Sequence, residues 1–306
     1  MIRWFAFSIW VLSCPKKQSR RRRLLNAQTH NNGAILSPTN FKLLADFAYQ
    51  EAGLVYSEDK ASLVRSRLVK RLKICGLADF ESYYKFITSH SGDAEKEAFI
   101  SALTTNVSHF FREPHHFDAL KKEVLPELMQ HAKTGHPIRI WSAGCSNGQE
   151  PYSIAMALLE FDAAFAEYDV KILATDIDPN VLKFAAEAKY DPMQVGGLSE
   201  AQVKRFFNSR SSQPNEPYEI IKKVKSLVAF RKLNLLRSWP MKGKFDFIFC
   251  RNVLIYFDEE TQTALWPRFA ERLANSGRLF IGHSERLIDP ELHGFRTSGV
   301  TTYQKM

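Results

Sequence analysis

I-W-S-A-G-C-S-N-G-Q-E-P-Y-S-I-A-M-A, from Ile140 to Ala157, is the stretch whose reading decides the fold. An apolar run, Ile138–Ala143, enters a small-residue loop, Gly144-Cys145-Ser146-Asn147-Gly148, and leaves through Glu150 and Pro151 into an apolar-periodic segment. That order is strand, tight glycine turn, helix. Pro151 suits the first helical position, where its missing N–H would have no partner. A loop of this kind brings backbone N–H groups and a helix N-terminus close to a ligand, because glycine has no Cβ to hold the ligand off. An ordinary βα turn has the same grammar, so the neighbouring segments must decide between the two.

Working downstream, the alternation continues. Val170–Ala174 reads as a second strand ending in Thr175-Asp176-Ile177-Asp178-Pro179, and 180–188 as a helix. Phe245–Cys250 reads as a buried central strand ending at Arg251-Asn252, followed by a helix over 261–274 and strands over 278–282 and 301–305. Alternating β and α elements imply a parallel, doubly wound sheet with ligands at the carboxyl ends of its strands. Residues 190–235 interrupt the rhythm with a short helix (200–207), a polar loop (209–217) and two β-like runs, 218–221 and 227–233. They are expected to form a small β-rich insertion.

Working upstream, residues 37–105 read as a helical domain and 106–137 as a linker plus the first helix of a catalytic domain spanning 138–306. Ser57 is the expected N-cap of a helix on which Ala61, Val64, Leu68, Leu72 and Cys75 share one arc, with Gly76 closing it. Lys60, Arg67, Lys70 and Arg71 share an adjacent arc, either a solvated face or a docking surface for an acidic partner. The segment A-L-T-T-N-V-S-H-F-F-R-E-P-H-H-F (102–117) is a polar-aromatic connector. No carboxylate or cysteine stands at ligand spacing to His109, His115 and His116, so no metal is expected.

The net charge of +9 would suggest a nucleic-acid partner, but seven basic and no acidic residues lie in the first 23 positions. The remaining 283 residues hold 35 basic and 33 acidic side chains, so the body is close to neutral and nucleic acid is not the expected partner. Residues 1–36 are read as a basic, disordered extension whose apolar start is too short to span a bilayer. The four cysteines, Cys14, Cys75, Cys145 and Cys250, form no C-x-x-C pair, which fits a reducing cytosol and a cytoplasmic protein.

Three strand ends thus converge: the Gly144–Glu150 loop, Asp176, and Arg251-Asn252. An acid after the second strand is the residue type that binds ribose hydroxyls. The loop is neither G-x-G-x-x-G nor G-x-x-x-x-G-K-[ST], which disfavours a dinucleotide and excludes a phosphate-gripping NTPase. A nucleoside without phosphates remains, and S-adenosylmethionine is the commonest such cofactor. Gly144–Gly148 also matches G-x-S-x-G, with Ser146 as nucleophile and His283 as base, but that elbow needs an earlier oxyanion strand where this chain reads as helical.

From about Asn40 to Tyr303 the chain resembles the CheR family of chemotaxis receptor methyltransferases. The residues that carry it are A-L-T-T-N-V-S-H-F-F-R-E-P-H-H-F, the Ile140–Ala155 stretch, A-T-D-I-D, R-K-L-N-L-L, F-D-F-I-F-C-R-N-V-L-I-Y-F and L-F-I-G-H-S-E. The resemblance implies an all-helical N-terminal domain, then a Rossmann-like α/β methyltransferase domain with a small antiparallel β insertion. It implies S-adenosylmethionine-dependent methylation of glutamates on chemoreceptor signalling helices, with S-adenosylhomocysteine as product. It implies cofactor contacts at Asn106, Ser108, Arg112, Glu150, Asp176, Asn234, Leu235, Arg251 and Asn252, with Arg112 and Tyr256 closest to the chemistry. Ser108 stands where threonine is common, and Asn147-Gly148-Gln149-Glu150 where T-G-E-E is usual.

A glutamate carboxylate is anionic at neutral pH (pKa about 4.3), so no general base is needed. Arg112 and Tyr256 are expected to orient the acceptor, with Arg112 partly neutralised by a neighbouring acid. The basic arc at Lys60, Arg67, Lys70 and Arg71 gains a rationale as a docking surface for glutamate-rich receptor helices, and the β insertion as a site for a receptor C-terminal peptide. A monomer is expected. The alternatives are a methyltransferase acting on nucleic-acid nitrogen, which the neutral body and the missing N/D-P-P-Y/F motif disfavour, and a non-catalytic S-adenosylmethionine- or receptor-binding scaffold.

Overall fold

The computed structural model describes residues 34–208 and 216–306. The N-terminal extension read over 1–36 lies almost wholly outside them, as does most of the 209–217 loop.

Four helices come first: α1 (Pro38–Ala52), α2 (Ala61–Cys75), α3 (Phe80–Ile87) and α4 (Asp93–Leu103). Ser37 caps α1 through Asn40 N, and Gly53 and Gly76 close α1 and α2 in the left-handed region. Ser57 makes no capping bond; a 3-10 turn, Glu58–Lys60, leads into α2 instead. Leu44, Leu68, Phe80, Tyr83, Ile87 and Phe99 are fully buried between these helices and form their own apolar core. After a connector without helix or strand come α5 (Pro114–Ala119), a π-helical turn (Leu120–Val124) and α6 (Leu125–Lys133). Pro126 explains the π turn: without an N–H and with a ring that crowds the carbonyl four residues back, it forces the helix to widen there.

The α/β part contains β1 (Ile138–Ala143), α7 (Gln149–Phe161), β2 (Val170–Asp176), α8 (Pro179–Glu187), β3 (Lys189–Tyr190), α9 (Pro192–Val195), α10 (Glu200–Phe206), β4 (Tyr218–Glu219), α11 (Lys222–Lys225), β5 (Val228–Lys232), β6 (Phe245–Cys250), α12 (Glu259–Arg272), β7 (Leu273–Ile281), β8 (Phe295–Gly299) and β9 (Thr302–Lys305). The main sheet has the order β5-β2-β1-β6-β7-β9-β8. Its first five strands are parallel, and β9 runs antiparallel to both neighbours. Strand alternation explains its two buried faces. Ile138, Ile140, Phe247 and Phe249 point into one apolar layer, while Trp141, Ala143, Ile248 and Cys250 point into the other.

Three local expectations are corrected. Pro151 is the third residue of α7, not the first, and still sits in the turn whose N–H groups lack intrahelical partners. The run 227–233 belongs to the main sheet: Val228–Lys232 pairs in parallel with Ile172–Asp176, so the insertion's own sheet is only the β3–β4 pair. Strand β8, absent from the sequence reading, extends the far edge.

The chain fills β2 and β5 on one side of β1, and β6 and β7 on the other, so the order reverses between β1 and β6. The loops after these two strands therefore part and leave a crevice, the usual place for a ligand in such sheets. Gly144 is required there. Its φ is +77°, and a Cβ would lie 2.2 Å from Val253 Cγ2, so only glycine lets the β1 loop pass the β6 loop.

Candidate active site

A single cavity of about 630 Å³ opens at this crevice, within the roughly 300–1,000 Å³ of small-ligand sites. Asn106, Ser108, Arg112, Glu150, Asp176, Asn234, Leu235, Arg251, Asn252 and Tyr256 all line it, so every site residue expected near the cofactor or the chemistry comes to one place. The connector supplies one wall, the β1, β2 and β6 loops the floor, and Ala52 and Leu54 from the helical region the roof.

Two of the carboxylates that line this cavity are Asp176, which is buried, and Glu150, with a side chain 12% exposed. Asp176, at the end of β2, accepts from Ser146 N (2.8 Å) through one oxygen and Asp178 N (3.0 Å) through the other. Burial pushes its pKa up, and these N–H bonds only partly offset that. Glu150, in the first turn of α7, accepts from Ser142 Oγ at 2.7 Å, and its other oxygen lies 3.3 Å from Arg251 Nη1. Burial raises its pKa as well, against the pull of Arg251. Carboxylates held up by desolvation are suited to a cationic ligand, whose charge restores the ionised form. Residues 143–152, by contrast, include no lysine or arginine with which to grip phosphates.

Sequence reasoning missed the residue that ties the site together. Glu113 sits at φ +56°, which turns its side chain inward just before α5. One oxygen accepts from Asn252 Nδ2 (3.1 Å), His283 N (3.2 Å) and His283 Nδ1 (2.8 Å), and the other lies 3.1 Å from Arg251 Nη2. Despite its burial, His283 and Arg251 hold its pKa down at about 2. The E-P that opens α5 was the only sequence signal, and it reads as a helix start.

Arg251 is therefore not a free cation in the cavity wall. Its side chain is 1% exposed, bridges Glu113 and Glu150, donates to Arg112 O, and lies 5.8 Å and 5.5 Å from the Phe117 and Phe249 ring centres. The Arg112 guanidinium, expected beside an acid, instead donates to Val107 O at 3.0 Å; the neighbouring acid is spent on Arg251. Asn234 is partly engaged within the protein: its Nδ2 donates to Glu51 O and its Oδ1 accepts from Leu236 N. Glu285 organises the β6 loop by accepting from the N–H groups of Gly282, Asn252, Leu254 and Ile255.

Two further expectations change. A carboxylate does accompany the histidines: Glu113, His115 and His116 bring ligand atoms within 4.8 Å of one another. Arg251 already supplies the positive charge at that carboxylate, and burial together with Arg251 presses the His116 pKa to about 3. On the basic arc, Arg71 is bidentate to Glu95 (2.8 and 2.6 Å), and Arg67 donates to Leu103 O, Thr104 O and Thr105 Oγ1. Neither guanidinium is a loose surface cation. Lys60 and Lys70 remain exposed. Ser146 donates to Asn106 O at 3.0 Å, while the two ring nitrogens of His283 meet Glu113 and Ser284, so the serine–histidine bond that a nucleophile needs is not made.

Residues 106–303 match the family model described as CheR methyltransferase, SAM binding domain, and residues 39–104 the one described as CheR methyltransferase, all-alpha domain. The chain belongs to the CheR methyltransferase family. It is 48% identical over 256 residues to a probable chemotaxis protein methyltransferase of Rhizobium etli, covering 84% of this chain and 96% of that protein. It is 40% identical over 266 residues to chemotaxis protein methyltransferase 2 of Pseudomonas aeruginosa (86% of this chain, 92% of that one). It is 40% identical over 271 residues to the chemotaxis protein methyltransferase of Escherichia coli (88% and 91%). CheR proteins are S-adenosylmethionine-dependent enzymes, and the two desolvated carboxylates and the loop without lysine or arginine fit that cofactor.

Proposed function

We propose that this CheR protein transfers methyl from S-adenosylmethionine to glutamate side chains of chemoreceptors, giving glutamyl methyl esters. The observation that carries the reading is the single cavity in which Glu150, Asp176, Arg112 and Tyr256 converge at the topological switch point of a SAM-binding domain. When bound, S-adenosylmethionine supplies an electrophilic methyl group on a sulfonium.

The protein's own part is positioning. Asp176 keeps lone pairs available beyond its two backbone N–H bonds, which suits ribose hydroxyls, and Glu150 suits the methionine ammonium. The acceptor carboxylate needs no base, and it loses its charge as the ester forms. A cation gripping it hard would favour the ground state over the transition state. Arg112, held by one carbonyl, and Tyr256 would orient that carboxylate. Orientation alone can be worth effective molarities of about 10⁵–10⁸ M. The remaining residues, Asn106, Ser108, Asn234, Leu235, Arg251 and Asn252, complete the cofactor pocket as wall or support.

On this reading the exposed Lys60 and Lys70 face glutamate-rich receptor helices, and the β3–β4 pair is an edge to which a receptor-tail strand could add. A monomer acting in the cytoplasm fits. No helix among the described residues is long and apolar enough to cross a membrane.

The test is transfer of labelled methyl to chemoreceptor-containing membranes. Methyl esters release methanol at alkaline pH and N-methyl products do not, so a base-stable label would refute glutamate as acceptor. Unchanged turnover in both Tyr256→Phe and Arg112→Ala, at normal cofactor affinity, would overturn their assignment.

A further inference from the structure

The connector that forms one cavity wall, Thr104–Ser108, has neither helix nor strand to hold it. Side chains hold it instead, from two sides. On the α/β side, Ser146 Oγ donates to Asn106 O (3.0 Å), Asn106 Nδ2 donates to Asp178 Oδ2 (3.0 Å), and Arg112 Nη1 donates to Val107 O (3.0 Å). On the helical side the anchor is Arg67, in the middle of α2. Its Nη1 donates to Leu103 O and to Thr104 O (3.3 Å), and its Nη2 to Thr105 Oγ1 (2.8 Å). Tyr56 OH reaches the same Leu103 carbonyl at 2.6 Å. Neither Arg67 nor Tyr56 lines the cavity.

We infer that Arg67, assisted by Tyr56, is a positioning residue of the cofactor site: it clamps the cavity wall from the helical domain, so cofactor affinity depends on a residue that touches no cofactor. The physical basis is the geometry of the fork. The carbonyls at the end of α4 present the negative end of the helix, and a guanidinium can meet two of them and a hydroxyl at once. Lysine carries the same charge but is a point donor and cannot span the three acceptors. Without the clamp, the connector gains conformations that binding must then remove, which lowers affinity without removing a contact. The inference rests on the cavity being the S-adenosylmethionine site of this methyltransferase.

The experiment titrates S-adenosylhomocysteine into the full-length protein by calorimetry, and measures the acceptor KM separately through base-labile label. Arg67→Ala is expected to weaken S-adenosylhomocysteine binding about tenfold, Tyr56→Phe two- to threefold, and Arg67→Lys nearly as much as Arg67→Ala. Lys73→Ala, exposed on the same helix, leaves binding unchanged. Wild-type affinity in Arg67→Lys would show that charge alone suffices and would overturn the clamp. So would wild-type affinity in Arg67→Ala accompanied by a raised acceptor KM, the signature of direct contact with the acceptor. If Arg67→Ala does not fold, Arg67→Lys and Tyr56→Phe decide: wild-type binding in both overturns the inference. Calorimetry reads the clamp whatever the acceptor, so a failure of glutamate methylation leaves this result interpretable.

Discussion

Replacing Glu113 with glutamine keeps the shape of the side chain and removes its charge at the centre of the site. One oxygen position would still accept from Asn252 and His283, but the amide N–H₂ would then face the Arg251 guanidinium, donor against donor. Breaking a buried ion pair by removing one partner typically costs about 3–5 kcal/mol. Arg251 retains Glu150 and the Arg112 carbonyl, which places the cost of Glu113→Gln at the low end, about 3 kcal/mol. Proton linkage gives an independent figure. A carboxyl held at about 2 in the fold, against 4.5 when unfolded, contributes about 3 kcal/mol near neutral pH. Because the folded pKa is depressed, that contribution is present above 4.5 and is lost as pH falls toward 2. Between pH 5 and pH 3.5 the wild-type protein should lose about 1.2 kcal/mol from this group alone, and Glu113→Gln should not. Urea unfolding at pH 7, 5 and 3.5 measures both quantities. The expected result is a stability gap of about 3 kcal/mol at pH 7 that narrows by about 1.2 kcal/mol between pH 5 and pH 3.5. A gap that stays constant with pH would refute the depressed pKa, and no gap at pH 7 would refute the hub.

Other perturbations probe the surrounding structure. Gly282→Ala would place a Cβ 2.7 Å from Asn252 N and 2.9 Å from Glu285 Oε2; the displaced loop should cost about 1–3 kcal/mol in thermal unfolding and weaken S-adenosylhomocysteine binding measurably. Since burial raises the Glu150 and Asp176 pKa values, each binds its proton sooner as pH falls; calorimetric affinity for S-adenosylhomocysteine should drop on going from pH 7 to pH 5, with proton release on binding at the lower pH. Arg71→Ala should destabilise the protein by about 2–3 kcal/mol, because Glu95 would be left buried beside Tyr83 without its cation; Lys70→Ala should change unfolding by less than about 0.5 kcal/mol.

The parts of this fold that were legible in the sequence are those with a local period. β1, β2 and β6 are mostly apolar beyond a charged second residue because both faces of the sheet are covered there, and each run is broken at its end by Gly144, Asp176 or Arg251. Parallel order then brings those ends together, so the cavity's polar residues could be named before its geometry was known. What was not legible depends on distant partners. Periodicity grouped Arg67 and Arg71 by direction on α2, but which atoms meet them is decided by α4 and its end, 24 to 38 residues later. The run 227–233 looked like part of an insertion because its partner, β2, lies more than 50 residues earlier. Edge strand β8, F-R-T-S-G, buries only its phenylalanine and so carries no alternation to read.

Arg112 and Glu113 show why the last step, from residues to roles, needs the backbone. Adjacent in sequence, they look like a charge pair. The left-handed φ at Glu113 sends its carboxylate inward to Arg251, 138 residues away, and leaves Arg112 with a carbonyl partner at the cavity. The two arginines thereby become chemically different. Arg251 is desolvated, packed beside two aromatic rings and neutralised by two carboxylates, so it stiffens the floor and offers little net charge to an acceptor. Arg112 lines the cavity and, among the described residues, hydrogen-bonds a carbonyl and no carboxylate. In a reaction that discharges the acceptor carboxylate, a residue meant to orient must bind enough to align and not so much as to trap the ground state. On the proposed assignment the molecule meets that requirement by division of labour: the strong cation is locked away from the acceptor, and the loosely tethered one is left to steer it.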